Sequence, residues 1–348
     1  MVYSKELADL GFVVFRHENK VGGLKPHVFI RFKSAGGDML TFGVDTTRLL
    51  KTDVEPDAYL ITHAHSDHYG KSAMLSQKAW CSKETAQALE IRYEKEYKGN
   101  IFEVGETISI CGTKVRTFDV AHAPGSTAFF WENENGFKIL VTGDVKDSSD
   151  LPKCDVLLTE ASYGDPDDPG CYFKDDIESL HEAVLSHIGK SKVAFGAYEF
   201  GKSQKAVSII REMGYNGPIA MTQKTMTLTE KFVSGAGELK CFETEDCHVS
   251  IVPVHQLSYV EKTTQKYILT CRSDSPFENI RISDHLDVNG LTQMVKDVCP
   301  KITIVYHPNQ SSKTDKFAKH LEQNGFKAFS INQIQNIVGN QKQIGSQK

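Results

Sequence analysis

The segment Thr62-His63-Ala64-His65-Ser66-Asp67-His68 sets three histidines and one aspartate within six positions. It directly follows the apolar run Ala58-Tyr59-Leu60-Ile61, which reads as a short buried strand. Where a strand ends the chain turns, so these side chains can converge on one point instead of alternating across two faces. Imidazole and carboxylate are ligands that zinc, manganese and iron accept. One ion cannot easily take all four from so short a loop. Two adjacent ions can, with His63 and His65 on one and Asp67 and His68 on the other. A polar loop with chance histidines is the bland alternative, and it is disfavoured because only 13 histidines are spread over 348 residues.

Outward from this loop, the first 60 residues read as strands. His27 to Lys33 alternates in part, Gly36-Gly37 turns the chain, and Asp38 to Asp45 follows as the hairpin partner. A helix is expected to begin near Asp67. From Lys114 to Asp144 the pattern is again strand, with Asn133-Glu134-Asn135-Gly136 as a hairpin turn. Asp155 to Glu160 is one more buried strand. The character changes at Asp165-Pro166-Asp167-Asp168-Pro169-Gly170. Leu180, Val184, Leu185 and Ile188 then stand at helical spacing, and strand, helix and strand follow at 193–197, 203–213 and 218–222. That alternation suggests a parallel three-layer unit. The expected organisation is a first domain part over 1–170, an insertion over 171–271 and a second part over 272–348. The polar tail from Gly339 reads as loose.

Composition supports an ordinary globular protein: 40% hydrophobic and 24% charged residues are enough for a core. The net charge of −5 is no sign of a nucleic-acid binder, although metal ions can neutralise phosphate locally. No run of 18 apolar residues exists, so no membrane partner is expected. The first ten residues hold acids and no apolar signal core, so a cytoplasmic location is expected. Eight cysteines are scattered without a C-x-x-C pair and read as mostly buried small apolar residues.

His-x-His-x-Asp-His after an apolar strand resembles the signature of the metallo-β-lactamase fold superfamily. Further motifs occur in the family's order. Asp45 ends Thr41-Phe42-Gly43-Val44-Asp45, His122 opens His122-Ala123-Pro124-Gly125-Ser126, and Asp144 ends Val141-Thr142-Gly143-Asp144. Three more segments are similar to β-CASP nuclease motifs: Thr159-Glu160-Ala161-Ser162-Tyr163-Gly164-Asp165, Ser283-Asp284-His285, and Val305-Tyr306-His307. The insertion lies between the first and second of these, as in that family, and is short for it. His307 departs from Artemis-like DNA repair nucleases, whereas His122-x-Pro-Gly-Ser126 is close to them. The segment from Ala197 to Gln204 is similar to ligase-associated DNA exonucleases.

The resemblance implies an α/β fold, a four-layer αββα sandwich with an inserted small β-CASP α/β module. It implies two divalent ions, zinc first and manganese second. His63, His65 and His122 hold one ion, Asp67, His68 and His307 the other, and Asp144 bridges them. Asp45 supports the metal loop. Asp67, Asp144, Glu160 and His285 carry catalysis. In that scheme a metal-activated hydroxide attacks a phosphodiester, His285 protonates the leaving oxygen as general acid, and Glu160 orients His285. The expected activity is a nuclease, an exonuclease by resemblance, with DNA favoured over RNA. An RNA-processing β-CASP ribonuclease, of 3′-end processing or ribonuclease J type, is the alternative. A small-molecule metallo-hydrolase or a non-catalytic scaffold ranks lower. The scaffold is disfavoured because all seven ligand positions are filled, and the small-molecule hydrolase by the insertion with Glu160 and His285. A DNA ligase or repair partner follows from resemblance alone, and the oligomeric state is not written in the chain.

Weaker substrate-binding candidates are Ser126, Lys202 and Ser203. Gly201-Lys202-Ser203 opens a helix, where free N–H groups with Lys202 and Lys205 suit a phosphate. A solvated helix start capped by Ser203 fits as well. His255 reads as structural, although a position facing the cleft is open to it. His17, His27, His181, His187, His248 and His320 have no supporting constellation.

Overall fold

Short apolar segments separated by polar or glycine turns dominate the first 160 residues, and in the computed structural model these segments are strands. The structure describes residues 2–18, 21, 23–25, 27–46, 55–68, 71–245, 247–272, 275–307 and 312–333. The expected loose tail lies outside them. A helix, α1 (Val2–Asp9), precedes the first strand, where only strands were expected. Its Leu7 is buried in the main core.

The first sheet comprises β1 (Phe12–Phe15), β2 (Val28–Lys33), β3 (Met39–Val44), β4 (Ala58–Leu60), β5 (Ala79–Ser82) and β6 (Asn100–Phe102), side by side in chain order. β1 to β3 run antiparallel, and β3 to β6 parallel. The parallel crossovers carry α2 (Lys71–Met74) and α3 (Lys83–Tyr93). The ligand loop is therefore a turn over 66–68, and the helix expected at Asp67 begins only at Lys71 among the described residues. The second sheet begins with β7 (Thr107–Ile110), β8 (Thr113–Asp119), β9 (Thr127–Glu132), β10 (Lys138–Val141) and β11 (Val156–Thr159). Asn133 closes the β9–β10 turn, its Oδ1 accepting from the amides of Asn135 and Phe137.

After β11 the chain leaves this sheet. It builds β12 (Val193–Ala197), β13 (Ile219–Met221), β14 (Leu239–Cys241), β15 (Val249–Pro253), β16 (Gln265–Leu269) and β17 (Glu278–Ile280), an all-parallel sheet of order β14-β13-β15-β12-β16-β17. Helices α4 (Ile177–Leu185), α5 (Lys202–Glu212) and α6 (Gln223–Phe232) connect it. Parallel strands need such crossovers and bury both faces, which is why β12 and β15 read as continuous apolar runs. The sheet does not stop at Cys271, the expected end of the insertion, because β17 pairs with β16 beyond it. In α4, Leu180 and Val184 are buried, whereas Leu185 is 59% exposed. One residue on from Val184 is a step of about 100° round the helix, off the buried face. Ile188 lies beyond the helix and is also exposed.

The chain then returns through α7 (Val288–Val298), β18 (Ile302–Val305), α8 (Ser312–Gln323) and β19 (Ala328–Ser330). β18 pairs in parallel with β11, so residues more than 140 positions apart are neighbours. Phe32, Phe42, Trp131, Val156 and Ile304 fill the space between the first two sheets. Leu89 and Met74 cover the outer face of the first sheet, and Leu291, Val295, Phe317 and Leu321 that of the second. The layers are therefore α, β, β and α, as expected, with the third sheet inserted. Among the described residues no helix is long and apolar enough to cross a membrane.

Asp175 ties the inserted part to the core. Its carboxylate meets Lys205 of α5 at 2.6 Å and Lys146 beyond β10 at 3.2 Å, and accepts from the Ser283 amide at 2.8 Å. Burial pushes the carboxyl up, but the Lys205 bond and charge outweigh it and hold it below its ordinary value. A lowered folded pKa stabilises above the unfolded value near ~4, and the gain disappears as pH falls through the folded value. Asp175→Asn is expected to destabilise by about 1–3 kcal/mol at pH 7. The gap to wild type should close below about pH 4. Urea unfolding at pH 7 and pH 3 measures it, and a gap independent of pH would exclude the ion pairs as its cause.

Candidate metal centre

The site is assembled where β3 and β4 end side by side. Asp45 follows β3 with φ +46 and is fully buried. Its Oδ1 accepts from the Thr62 amide at 2.8 Å, and its Oδ2 from the Thr62 hydroxyl at 2.8 Å and His68 Nδ1 at 3.0 Å. The Thr62 hydroxyl spends its proton on Asp45, so it accepts from His63 Nδ1 at 3.0 Å. Both imidazoles therefore carry hydrogen on Nδ1 and present Nε2 inward. Asp144 reaches the same place because Gly143, at φ +60, passes close to Thr62; a Cβ on Gly143 would lie 2.6 Å from Thr62 Cβ.

Two further histidines are fixed by backbone carbonyls. His65 Nε2 donates to the Phe200 carbonyl at 3.0 Å, and His122 Nδ1 to the Asp284 carbonyl at 2.7 Å. A carbonyl only accepts, so His65 keeps its lone pair on Nδ1 and His122 on Nε2, and these two atoms lie 3.0 Å apart. One ligand atom from each of His63, His65, His122 and Asp144 lies within 4.8 Å of the others. Asp67, His68 and His307 form a second such group. Asp144 stands between the groups, with Oδ1 3.3 Å from His68 Nε2, and Oδ2 3.5 Å from His122 Nε2 and 3.8 Å from His63 Nε2.

These donors suit divalent ions. His63 Nε2, His68 Nε2 and Asp144 Oδ1 are buried without a well-aligned hydrogen bond, a state that costs about 1–3 kcal/mol per group unless another partner satisfies it. Burial lowers the pKa of His63, His65, His122 and His307, reinforced at the first three by neighbouring imidazoles. They are thus held neutral, the form that binds a metal. His68 is pushed the other way: burial lowers its pKa, but the carboxylates of Asp144 and Asp45 outweigh this and raise it. Asp144 is pushed up by burial, but the charge of His68 outweighs this and holds it ionised. An ion at His68 Nε2 would displace the proton there.

His285 stands beside the two groups. Its Nδ1 is 3.0 Å from both oxygens of Glu160 and 3.9 Å from Asp144 Oδ2. Glu160 is itself fixed, accepting from the amides of Val145 at 2.7 Å and Ser162 at 3.1 Å. Burial lowers the His285 pKa, but the carboxylates of Glu160 and Asp144 outweigh it and raise it to about 9. His285 is therefore held toward the charged form, with Nδ1 on Glu160 and Nε2 3.8 Å from Asp284 Oδ1 beside the cleft.

Of these residues His65, Asp67, Asp144, Asp284, His285 and His307 line a cleft of about 1,210 Å³ beside the inserted sheet. Tyr163, Tyr198, Lys202, His255, Arg272 and Lys313 also line it. His255 is exposed there, so it faces the cleft and is not the packing residue expected. Lys202 reaches the wall, but is 1% exposed with Nζ 3.2 Å from Asp284 Oδ1. Ser203 neither caps α5 nor faces a phosphate: Gly201 is the N-cap, and the buried Ser203 hydroxyl donates to the Tyr198 carbonyl at 2.6 Å. Lys205 is taken up by Asp175 and the Ser283 carbonyl. Ser126 is also no substrate ligand, since its buried hydroxyl accepts from the amides of His122 and Ala123 and closes the loop that aims His122. Asp284, Arg92 and Glu199 were not foreseen. Asp284 stood within a recognised motif, but its Lys202 partner is 82 positions away. His27, without a sequence signal, is buried near enough to His68 for burial and that charge to lower its pKa to about 3.

Residues 41–214 match the family described as "Beta-lactamase superfamily domain". The DNA cross-link repair 1A protein of Mus musculus is 26% identical over 229 residues, 62% of this chain and 22% of that protein. An RNase J-like protein of Methanocaldococcus jannaschii is 26% identical over 208 residues, 50% of this chain and 48% of that one. The chain thus spans less than half the length of these two curated relatives. A crystal structure of a protein of unknown function from Enterococcus faecalis superposes with a TM-score of 0.62 over 92% of this chain and 97% of that chain, at 11% identity, which is a likeness of fold.

The Asp45 hydrogen bonds generate a prediction. Asp45→Asn keeps the shape, but its amide cannot accept at both positions. Affinity for divalent ions should fall about 10- to 100-fold, as for other groups that orient metal ligands. Calorimetric titration of the metal-free protein with zinc or manganese measures this, and unchanged affinity would leave Asp45 with a folding role only.

Proposed function

This chain belongs to the metallo-β-lactamase superfamily, and on that premise we propose that it is a two-metal phosphodiester hydrolase acting on nucleic acid. The observation that carries this reading is the Glu160–His285 pair, set 3.9 Å from Asp144 on an open cleft. A hydrolase whose leaving group departs as a stabilised anion has little use for a proton donor at that place, whereas a sugar alkoxide needs one. The cleft volume of about 1,210 Å³ is also larger than the ~300–1,000 Å³ usual for small-molecule sites.

In this reading His63, His65 and His122 would hold one ion and Asp67, His68 and His307 the other, with Asp144 placed to serve both. Zinc is the first choice for so imidazole-rich a set, with manganese second. When bound, the ions supply a water acidified toward neutrality as nucleophile and neutralise phosphodiester charge. His285 holds its reactive proton on Nε2 and delivers it to the departing sugar oxygen. Glu160 orients the ring and stabilises its charge. We assign the third sheet and its helices as a β-CASP-type insertion that walls the substrate cleft, starting near residue 171 and running past Cys271 to β17. The names of the relatives divide between DNA and RNA, and DNA is favoured by the likeness of 197–204 to ligase-associated exonucleases. A non-catalytic scaffold is disfavoured because all seven ligand positions are filled and converge.

Replacing His285 by alanine should retain the metal but cut turnover on a polynucleotide by roughly 10²–10⁴. The loss should shrink on bis(p-nitrophenyl) phosphate, whose phenolate leaves without a proton, and Glu160→Gln should show a milder form of the pattern. End-labelled single- and double-stranded DNA and RNA are the substrates to compare, with metal content measured in each variant. Equal losses on both substrate types, or loss of metal from His285→Ala, would remove His285 from the role of acid.

A further inference from the structure

One orienting group of the first metal cluster comes from outside the αββα core. The carbonyl that accepts from His65 Nε2 belongs to Phe200, which lies just beyond β12 in the inserted part. Three features hold that carbonyl in place. The Phe200 side chain is buried with Leu89 of α3 and Leu228 of α6, its ring 5.7 Å from that of Phe232. Glu199 faces Arg92 of α3 at 3.6 Å, and Arg92 also donates to the Ala64 carbonyl inside the ligand loop. Gly201 turns the chain at φ +83, and its amide donates to Gln204 Oε1 at 2.7 Å. A Cβ on Gly201 would lie 3.3 Å from Ala123 Cβ and 3.4 Å from His65 Nε2, so a side chain there would press on the ligand loop by a few tenths of an ångström and be strained at this φ.

We infer that the docked insertion is a structural part of the first metal cluster, with Phe200 fixing His65 and Arg92 acting as the positioning residue that joins insertion, α3 and ligand loop. The physical cause is the imidazole's two nitrogens. While Nε2–H is held by the carbonyl, Nδ1 points at His63, His122 and Asp144; released, the ring turns freely and presents Nδ1 only part of the time. The ion at this cluster therefore binds tightly only with the insertion docked. By linkage, the ion in turn holds the insertion, and with it the cleft wall of Tyr198 and Lys202, against the core.

The inference rests on the two-metal reading, and one experiment separates them. Metal-free wild type, Gly201→Ala and Glu199→Gln are titrated with zinc and, separately, manganese, while ¹⁵N spectra follow the His65 ring. Wild type that takes up no ion defeats the two-metal reading itself. With two ions in wild type, folded Gly201→Ala should bind one of them about 10- to 100-fold more weakly and the other unchanged. Its His65 Nε2–H signal should lose protection from exchange. Glu199→Gln should shift the same ion by less. Should Gly201→Ala not fold, Glu199→Gln decides by the same readings. Wild-type affinity for both ions, or equal weakening of both, overturns the inference.

Discussion

Everything at the centre depends on a buried carboxylate. Asp45 lies at 0% exposure, in a left-handed backbone conformation, among strand ends that exclude water. An isolated charge there would be costly enough to neutralise itself, and burial does raise its pKa. Three donors on two residues, Thr62 and His68, make its ionised form tenable. That one arrangement locks β3 to β4, sets the nitrogen that His68 presents, and through Thr62 sets that of His63. The fold and the ligand geometry are thus consequences of the same hydrogen bonds.

Around this point the chain closes twice. The first closure is the parallel pairing of β11 with β18, which returns the C-terminal segment to the core and carries His307 to the ligand loop. The second is the docking of the insertion, whose entrance is tied by Asp175 and whose β12 end reaches His65. Both closures bring groups from the far half of the chain to the turn at 62–68. The cleft lies between them, so its floor and one wall belong to the core and the opposite wall to the insertion.

The legible residues were those whose chemistry and spacing are local. His63, His65, Asp67 and His68 announce themselves because four ligand-type side chains at a strand end need no partner elsewhere to be noticed. The Asn133 turn and the apolar runs at β11 and β12 are legible for a similar reason, since period and turn chemistry act over a few residues. Ser126 and Ser203 misled because a hydroxyl near a glycine suits a phosphate and a backbone amide equally well, and only the fold decides which is within reach. Leu185 misled by one helical step. β17 was missed because a short, half-exposed edge strand carries little apolar pattern.

The sequence by itself determined the loop donors His63, His65, Asp67 and His68, their order along the chain and the α/β alternation, because each is a matter of residue type and short-range periodicity. His122, Asp144, His307 and the four-layer sandwich came instead from the family resemblance. Only the tertiary structure decided which nitrogen of each histidine faces inward. Two of those decisions are made by the carbonyls of Phe200 and Asp284, and a carbonyl is the same group in every residue, so no letter of the sequence can mark it. The pairing of Lys202 with Asp284 belongs there too, and the structure seats His285 on Glu160 as the resemblance implied. They join positions 82 and 125 residues apart, and such distances are set by packed sheets, not by spacing along the chain.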